Sequence, residues 1–360
     1  MRAVVLNGHG GPEVLTFADI PTPQIGPEEV LVQVRATSLN RADLLQRMGF
    51  YPDPFPGEHE VPGMEFSGSV QAVGARVRAW KIGDEVMGIV SGGAYAEQLV
   101  VHERQAMRIP RGVSLADAAA IPEVFITAWD ALVVQGGLTS GRWALVHAGA
   151  SGVGTAAVQI CKAIGAHVIA TCSTGKVAAV KALGADVVVD YTSADFVDAV
   201  KTATGGRGVD VVLCVIGGDY LDRNVASLAQ KGHIVQVGVM GGGNMSFNLA
   251  GLMPKRAKLS GTVLRARPIE EKIAISQRFS AEIIPLFESG KIRPVIDCRY
   301  PFSDIARAHE HMTANANTGK IVIDIGAVID EHDIVLEIQF TGASAKDDAE
   351  NMAERAKARF

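Results

Sequence analysis

Hydrophobic residues fall into two rhythms along the chain. From Met1 to about Ala120 the apolar runs are short and cut by Gly/Pro turns: RAVVLNG, LTFADIP, EVLVQVRATSL, EFSGSVQAVG, DEVMGIV and YAEQLVV. Their period-two character and Val content predict strands, hence a β-rich domain. From about Pro122 to Gly290, almost wholly apolar blocks (RWALVHAG, HVIATC, DVVVDY, DVVLCVIG, HIVQVGVM, LSGTVLR) alternate with helical stretches such as TAAVQICKAIGA and KVAAVKALGA. Strands that are apolar on both faces belong to a parallel sheet wound with helices on either side. After Gly290, RPVIDCRYPF, the helical FSDIARAHEHM and the strand GKIVIDI return to the texture of the first domain. The expectation is an α/β fold in which residues 1–121 and 291–325 form the β-rich domain and 122–290 a doubly wound parallel-sheet domain inserted into it. Residues 326–360, with a strand-like HDIVLEIQF and a helix-like, charged AKDDAENMAERAKARF, read as a C-terminal extension without an assigned role.

Composition narrows the function classes. The 360 residues suffice for two domains, and 48% hydrophobic with 20% charged residues fits a globular chain with a substantial core. A net charge of −5, with no basic arm or stripe, argues against a nucleic-acid partner. Four cysteines (Cys161, Cys172, Cys214, Cys298) show no CxxC spacing and read as structural thiols. The start reads as a strand rather than a signal peptide, and no stretch approaches 18 uninterrupted apolar residues, so a cytoplasmic protein without a membrane partner is expected.

The sharpest motif is Gly152-Val153-Gly154-Thr155-Ala156-Ala157, a GxGxxA that follows the strand RWALVHAG and opens an amphipathic helix. The first glycine permits a tight turn, the second lets backbone approach a pyrophosphate, and small Ala157 lets helix and strand pack closely. The helix N-terminus adds free N–H groups and partial positive charge. An NAD site usually carries Asp or Glu at the end of the second strand. Here that place reads Thr171-Cys172-Ser173-Thr174-Gly175-Lys176. A hydroxyl and an ammonium suit the extra phosphate of NADP, each charge-assisted bond being worth roughly 1.5–3 kcal/mol. Tyr191, at the end of the third strand, is placed to close the adenosine pocket.

The motifs LNRADLLQRMGFYP, PGMEFSGSV, KIGDEVMG, AAAIPEVFITAWDAL, HAGASGVGTAAVQ and ANTGKIVI, in that order over about residues 1–325, resemble the zinc-independent quinone oxidoreductases of the medium-chain dehydrogenase/reductase superfamily. The resemblance is nearer to the branch induced by a tumour-suppressor transcription factor than to the zeta-crystallins. It implies a GroES-like catalytic domain, an inserted Rossmann domain, NADPH in the cleft between them and a homodimer. Where zinc enzymes of the superfamily carry GHE and a ligand cysteine, this chain has Gly63-Met64-Glu65 and Asn40. Thioether and amide do not replace imidazole and thiolate for Zn²⁺, so no catalytic metal is expected. Glu65 reads as a structural carboxylate. His309 and His311, two apart on a helix, diverge and neither reads as a ligand.

A metal-free site suits an acceptor whose own delocalisation steadies the anion formed by hydride transfer, such as a quinone or an enone. The resemblance implies Asn40 and Tyr51 at the cleft on the substrate side, Asn40 as an amide donor to an acceptor oxygen or to the nicotinamide ribose and Tyr51 as a flat face with a hydroxyl to bond or protonate the acceptor. It implies Ser151, Val153, Ser173, Lys176, Tyr191, Met240, Arg265 and Asn317 along the NADPH path; from the residues alone, Arg265 reads equally as a solvated arginine after the last strand. Two other functions fit the same residues. One is an NADPH-dependent enoyl or alkenal double-bond reductase, the other a non-catalytic NADPH-binding protein.

Overall fold

A computed structural model describes residues 1–244 and 246–326. The strand-like and helix-like stretches expected beyond Gly326 lie outside the described residues. A hairpin of β1 (Arg2–Leu6) and β2 (Leu15–Asp19) precedes the main sheet of the first domain. That sheet is built from β3 (Glu29–Ser38), β4 (Glu65–Val73), β5 (Glu85–Ile89), β6 (Gln98–His102) and β7 (Met107–Arg108), paired antiparallel, with helix α1 (Arg41–Arg47) between β3 and β4. Long β3 carries β4 on one side; on the other it takes β6 along its first half and a strand from the far end of the chain along its last residues.

Helix α2 (Pro122–Trp129) leads into the second sheet. Its six strands, β8 (Trp143–Val146), β9 (His167–Cys172), β10 (Val187–Asp190), β11 (Val209–Cys214), β12 (Leu228–Gln236) and β13 (Lys258–Gly261), all pair parallel, in the order β10-β9-β8-β11-β12-β13. The reversal of direction at β8 and β11 is the doubly wound arrangement, and it opens a crevice at the strands' carboxyl ends. Intervening helices are α3 (Gly152–Ala163), α4 (Val177–Ala182), α5 (Phe196–Ala203), α6 (Tyr220–Ser227) and the short α7 (Leu252–Lys255). Val146, Val168, Ala170, Val211 and Leu213 are fully buried on one face, and Leu145, Ile169, Val212 and Ile234 on the other. Burial on both faces explains the unbroken apolar blocks.

Helices α8 (Ile269–Glu282) and α9 (Ile284–Glu288) end this unit. The chain then returns to the first sheet as β14 (Ile296–Pro301), α10 (Ile305–Thr313) and β15 (Lys320–Asp324), with β15 antiparallel to the end of β3. Helix α2 packs against both halves, so Met87, Ile89 and Met107 share one hydrophobic cluster with Phe125, Trp129 and Val146. A parallel bridge between Ser151 and Gly319, with the Gly319 amide on the Ala150 carbonyl at 2.8 Å, adds a second seam beside the glycine-rich turn. Among the described residues, no helix is long and apolar enough to cross a membrane.

Candidate active site

The glycine-rich turn joins β8 to α3, and close approach explains its composition. A Cβ at Gly154 would lie 2.1 Å from the Ala148 carbonyl oxygen, and one at Gly152 2.8 Å from Cδ of Lys320. Ser151 caps α3, its Oγ accepting from the Gly154 amide at 3.0 Å, while the Thr155 amide bonds the Ser151 carbonyl at 2.8 Å. The amides of Gly152 and Val153 are thereby left as first-turn donors without an intrahelical acceptor, which is what an oxyanion needs.

At the end of β9, Ser173 opens a short turn and Lys176 closes it, the Lys176 amide bonding the Ser173 carbonyl at 2.9 Å. Lys176 Nζ reaches across to the loop between α10 and β15, donating to the carbonyls of Asn315 (2.8 Å) and Asn317 (2.6 Å). Burial lowers the Lys176 pKa from its ordinary value, while Asp297 opposes that shift. Arg41, from α1, binds Asn315 Oδ1 at 2.5 Å, so a second cation borders the same loop. Asn317 is buried and holds the loop closed through Nδ2 to the Gly319 carbonyl at 2.8 Å. Tyr191 and Met240 are about half exposed, on separate loops after β10 and β12. The fold thus joins Ser151, Gly152, Val153, Gly154, Lys176 and Asn317 around one turn, with Ser173 beside Lys176; Tyr191 and Met240 make no side-chain hydrogen bond to them.

Asn40 begins α1, and its amide N–H donates to Asp43 Oδ2 at 2.7 Å. Its side chain faces a buried network. Nδ2 donates to Glu65 Oε1 (2.8 Å) and to the Ser38 carbonyl (3.3 Å), while Oδ1 accepts from Lys320 Nζ at 2.6 Å. Lys320 Nζ also lies 2.9 Å from Glu65 Oε1, and Glu65 Oε2 accepts the Glu123 amide at 2.8 Å. The Asn40 amide, expected to donate to an acceptor oxygen or to the nicotinamide ribose, is engaged within the protein. Both of its N–H groups already have protein acceptors, because a buried carboxylate stands beside it.

At the other end of the cleft, Tyr51 is partly buried with the Arg265 guanidinium 5.3 Å from its ring centroid, and its carbonyl accepts from Arg265 Nη1 at 3.2 Å. Arg265 is not solvated: it is 3% exposed and bound to the Ser91 carbonyl, with Asp53 at 3.8 Å. The alternative reading of Arg265 as a surface residue fails because two loops, one carrying Asp53 and the other Ser91, enclose its guanidinium. Lys272, on α8, bonds the Ser91 hydroxyl. Burial, and then the charge of Glu123, raise the Tyr51 pKa, so its hydroxyl keeps a proton to donate. Burial followed by repulsion from Glu65 pushes Glu123 up to about 8, and burial raises Asp43 to about 6.

Lys320, Ser38, Glu123, Ser91 and Lys272 were not singled out from the sequence. The available signals were weak. Lys320 is a cation opening an otherwise apolar strand, and Glu123 sits just after a helix-starting proline, where a carboxylate ordinarily complements the helix dipole.

Similarity to known proteins agrees with this geometry. Residues 26–111 match the alcohol dehydrogenase GroES-like domain and residues 183–323 the zinc-binding dehydrogenase family. The chain is 33% identical over 328 residues to the quinone oxidoreductase of Lama guanicoe, covering 90% of this chain and 97% of that one. It is 32% identical over 341 residues to the human synaptic vesicle membrane protein VAT-1 homolog, at 90% and 86% coverage. It is 30% identical over 346 residues to the tomato (Solanum lycopersicum) 2-methylene-furan-3-one reductase, at 90% and 79%. The solved structure of Escherichia coli quinone oxidoreductase complexed with NADPH superposes with a TM-score of 0.82 at 29% identity, covering 90% of this chain and all of that one. The β-rich part is therefore a GroES-like domain and the doubly wound part a Rossmann domain, the cleft between them is that of an oxidoreductase with a nicotinamide cofactor and a small-molecule substrate, and the chain belongs to the zinc-independent quinone oxidoreductases of the medium-chain dehydrogenase/reductase superfamily.

Proposed function

We propose that the protein uses NADPH to reduce a small conjugated carbonyl, a quinone in the first place, without a catalytic metal. The observation that carries the reading is Lys176, held at the end of β9 against the Asn315–Asn317 loop, which joins Ala150 just before α3 through Gly319. When bound, the dinucleotide supplies a hydride from nicotinamide C4. The residues do the rest. Gly152 and Val153 amides take the pyrophosphate, with Ser151 and Gly154 shaping the turn. Lys176, with Ser173 and Tyr191, takes the 2′-phosphate, and the two backbone carbonyls now on its ammonium give way to charged oxygens. Asn317 and Met240 wall the cofactor path. Asn40 positions Lys320 and Glu65 beneath the glycine-rich turn. Tyr51, held by Arg265, offers the acceptor a flat face and a phenolic proton.

Two experiments test this. Lys176→Ala is expected to weaken NADPH binding at least about tenfold while leaving NADH nearly unchanged, since charge-assisted bonds worth roughly 1.5–3 kcal/mol are lost only with the phosphorylated cofactor. Equal losses for both cofactors in a titration would refute the phosphate role. Tyr51→Ala is expected to raise KM for quinone or lower kcat with the fold intact; unchanged steady-state kinetics would make Tyr51 a bystander.

A double-bond reductase is the second reading, favoured by the similarity to the tomato reductase. NADPH oxidation across 1,2- and 1,4-quinones, enals and crotonyl thioesters separates the two, and NADPH binding without turnover on any of them would point to a binding protein. A homodimer is part of the proposal. Strand β13 is an edge of the parallel sheet, and around it Leu249, Met253, Leu259 and Val263 are exposed, a row that a second copy would cover. Light scattering at micromolar concentration checks it.

A further inference from the structure

Away from the cofactor cleft, β14 and α10 bring three ligand types together. His309 and His311 diverge, as their helical spacing requires, but to different ends. His309 turns inward to the Tyr95 hydroxyl at 3.2 Å, whereas His311 turns onto β14. There its Nδ1 lies 3.5 Å from Cys298 Sγ and 3.0 Å from the Tyr300 hydroxyl, and its Nε2 lies 3.5 Å from Asp297 Oδ2. One ligand atom from each of Asp297, Cys298 and His311 falls within 4.8 Å of the other two.

We propose that Asp297, Cys298 and His311 form a binding site for one zinc-class divalent cation, separate from the redox cleft. The donor set selects the metal. Thiolate and imidazole favour Zn²⁺ over Mg²⁺ or Ca²⁺, which take oxygen ligands. The geometry agrees: with Zn–S of about 2.3 Å, Zn–N of about 2.0–2.1 Å and a tetrahedral angle, sulfur and nitrogen stand roughly 3.5 Å apart. That is the Sγ to Nδ1 spacing present. Rotation of the Asp297 side chain brings in the third ligand, and water completes a four-coordinate site. Cys298 and His311 are only partly buried, so a cation can enter from solvent. Binding displaces the Cys298 thiol proton to solvent and involves no electron transfer.

The position matters for the cleft. Asp297 Oδ1 accepts the Thr318 amide at 2.9 Å, and the preceding residue, Asn317, gives its carbonyl to Lys176. A metal that draws on Asp297 therefore acts on the loop that holds Lys176.

The test uses the full chain, freed of metal by a chelator and titrated with Co²⁺ and then Zn²⁺. The expected result is one equivalent of Co²⁺ bound, with a thiolate-to-cobalt charge-transfer band that Zn²⁺ abolishes and Mg²⁺ does not. Cys298→Ser should remove the band and His311→Ala should weaken binding about tenfold or more, a usual loss for a metal-site partner. Asp297→Asn, which keeps an acceptor for the Thr318 amide, serves as a second variant should either of these fold poorly, and is expected to weaken Co²⁺ binding similarly. Absence of the band, its persistence in Cys298→Ser, or unchanged affinity in both His311→Ala and Asp297→Asn overturns the site. None of these readouts depends on NADPH or quinone, so the outcome is independent of the proposed reaction.

Discussion

Lys320 and Glu65 show how much a single pair can matter under the cofactor turn. Their side chains are 3% and 0% exposed and 2.9 Å apart, with Ser38, Asn40 and the Glu123 amide completing the carboxylate's shell. Each charge loses several kcal/mol of hydration on burial, and attraction plus hydrogen bonds offset that only while both are present. Lys320→Met is therefore expected to destabilise the protein by about 3–5 kcal/mol, and adding Glu65→Gln to recover most of the loss. Denaturant unfolding of the two variants checks this; equal stabilities would show that the lone carboxylate is not what costs the single variant. Glu65 was legible in sequence as a structural carboxylate, since Met64 beside it spoils a zinc triad. Its partner was not, because Lys320 stands at the far end of the chain and meets Glu65 only when β15 returns to β3. The bond that Asn40 Oδ1 accepts from Lys320 was unreadable for the same reason, since it depends on that same return.

At the scale of elements, the turn from β8 into α3 is the most sharply determined piece of the molecule. The Cβ that Gly154→Ala adds would stand 2.1 Å from the Ala148 carbonyl oxygen, a backbone atom that cannot swing aside. The start of α3 must then shift, displacing the Gly152 and Val153 amides together. Loss of NADPH and NADH binding alike is expected, in contrast to the selective effect of Lys176→Ala, and calorimetry with both cofactors checks it. Wild-type affinity for either would show that the turn tolerates the methyl group. Strand-turn-helix order, small residues at fixed offsets and a following βαβ rhythm made this element readable, because each is a local requirement. The joint with the Gly319 loop was not readable: it rests on Gly319, whose φ of +83° and 2.2 Å Cβ clearance from the Val295 carbonyl oxygen admit only glycine, but whose partner Ala150 lies in the other domain.

For the whole molecule, the response to acid is a balance between buried histidines and buried carboxylates. His147 is fully buried against Thr171 and Asn224, at 3.1 and 2.7 Å, and burial lowers its pKa to about 4; burial likewise lowers His309 to about 3. Both sit far below the ordinary 6.5. Between those values the unfolded chain binds protons that the native state refuses, so the histidine contribution to stability falls as pH drops below about 6.5 and keeps falling to about 3–4. At pH 5 the expected loss is about 2 kcal/mol for each histidine and about 4 kcal/mol for the two together, relative to neutral pH. Glu123 and Asp43 work in the opposite sense, their raised pKa values of about 8 and about 6 making the native state relatively more stable as pH falls through them, so between pH 7 and pH 5 they offset most of the histidine loss. The decisive measurement is a difference: relative to the parent, His147→Gln should gain about 2 kcal/mol of stability on going from pH 7 to pH 5, close to half of the histidine contribution. A variant whose stability changes with pH as the parent's does would place that proton uptake elsewhere in the molecule.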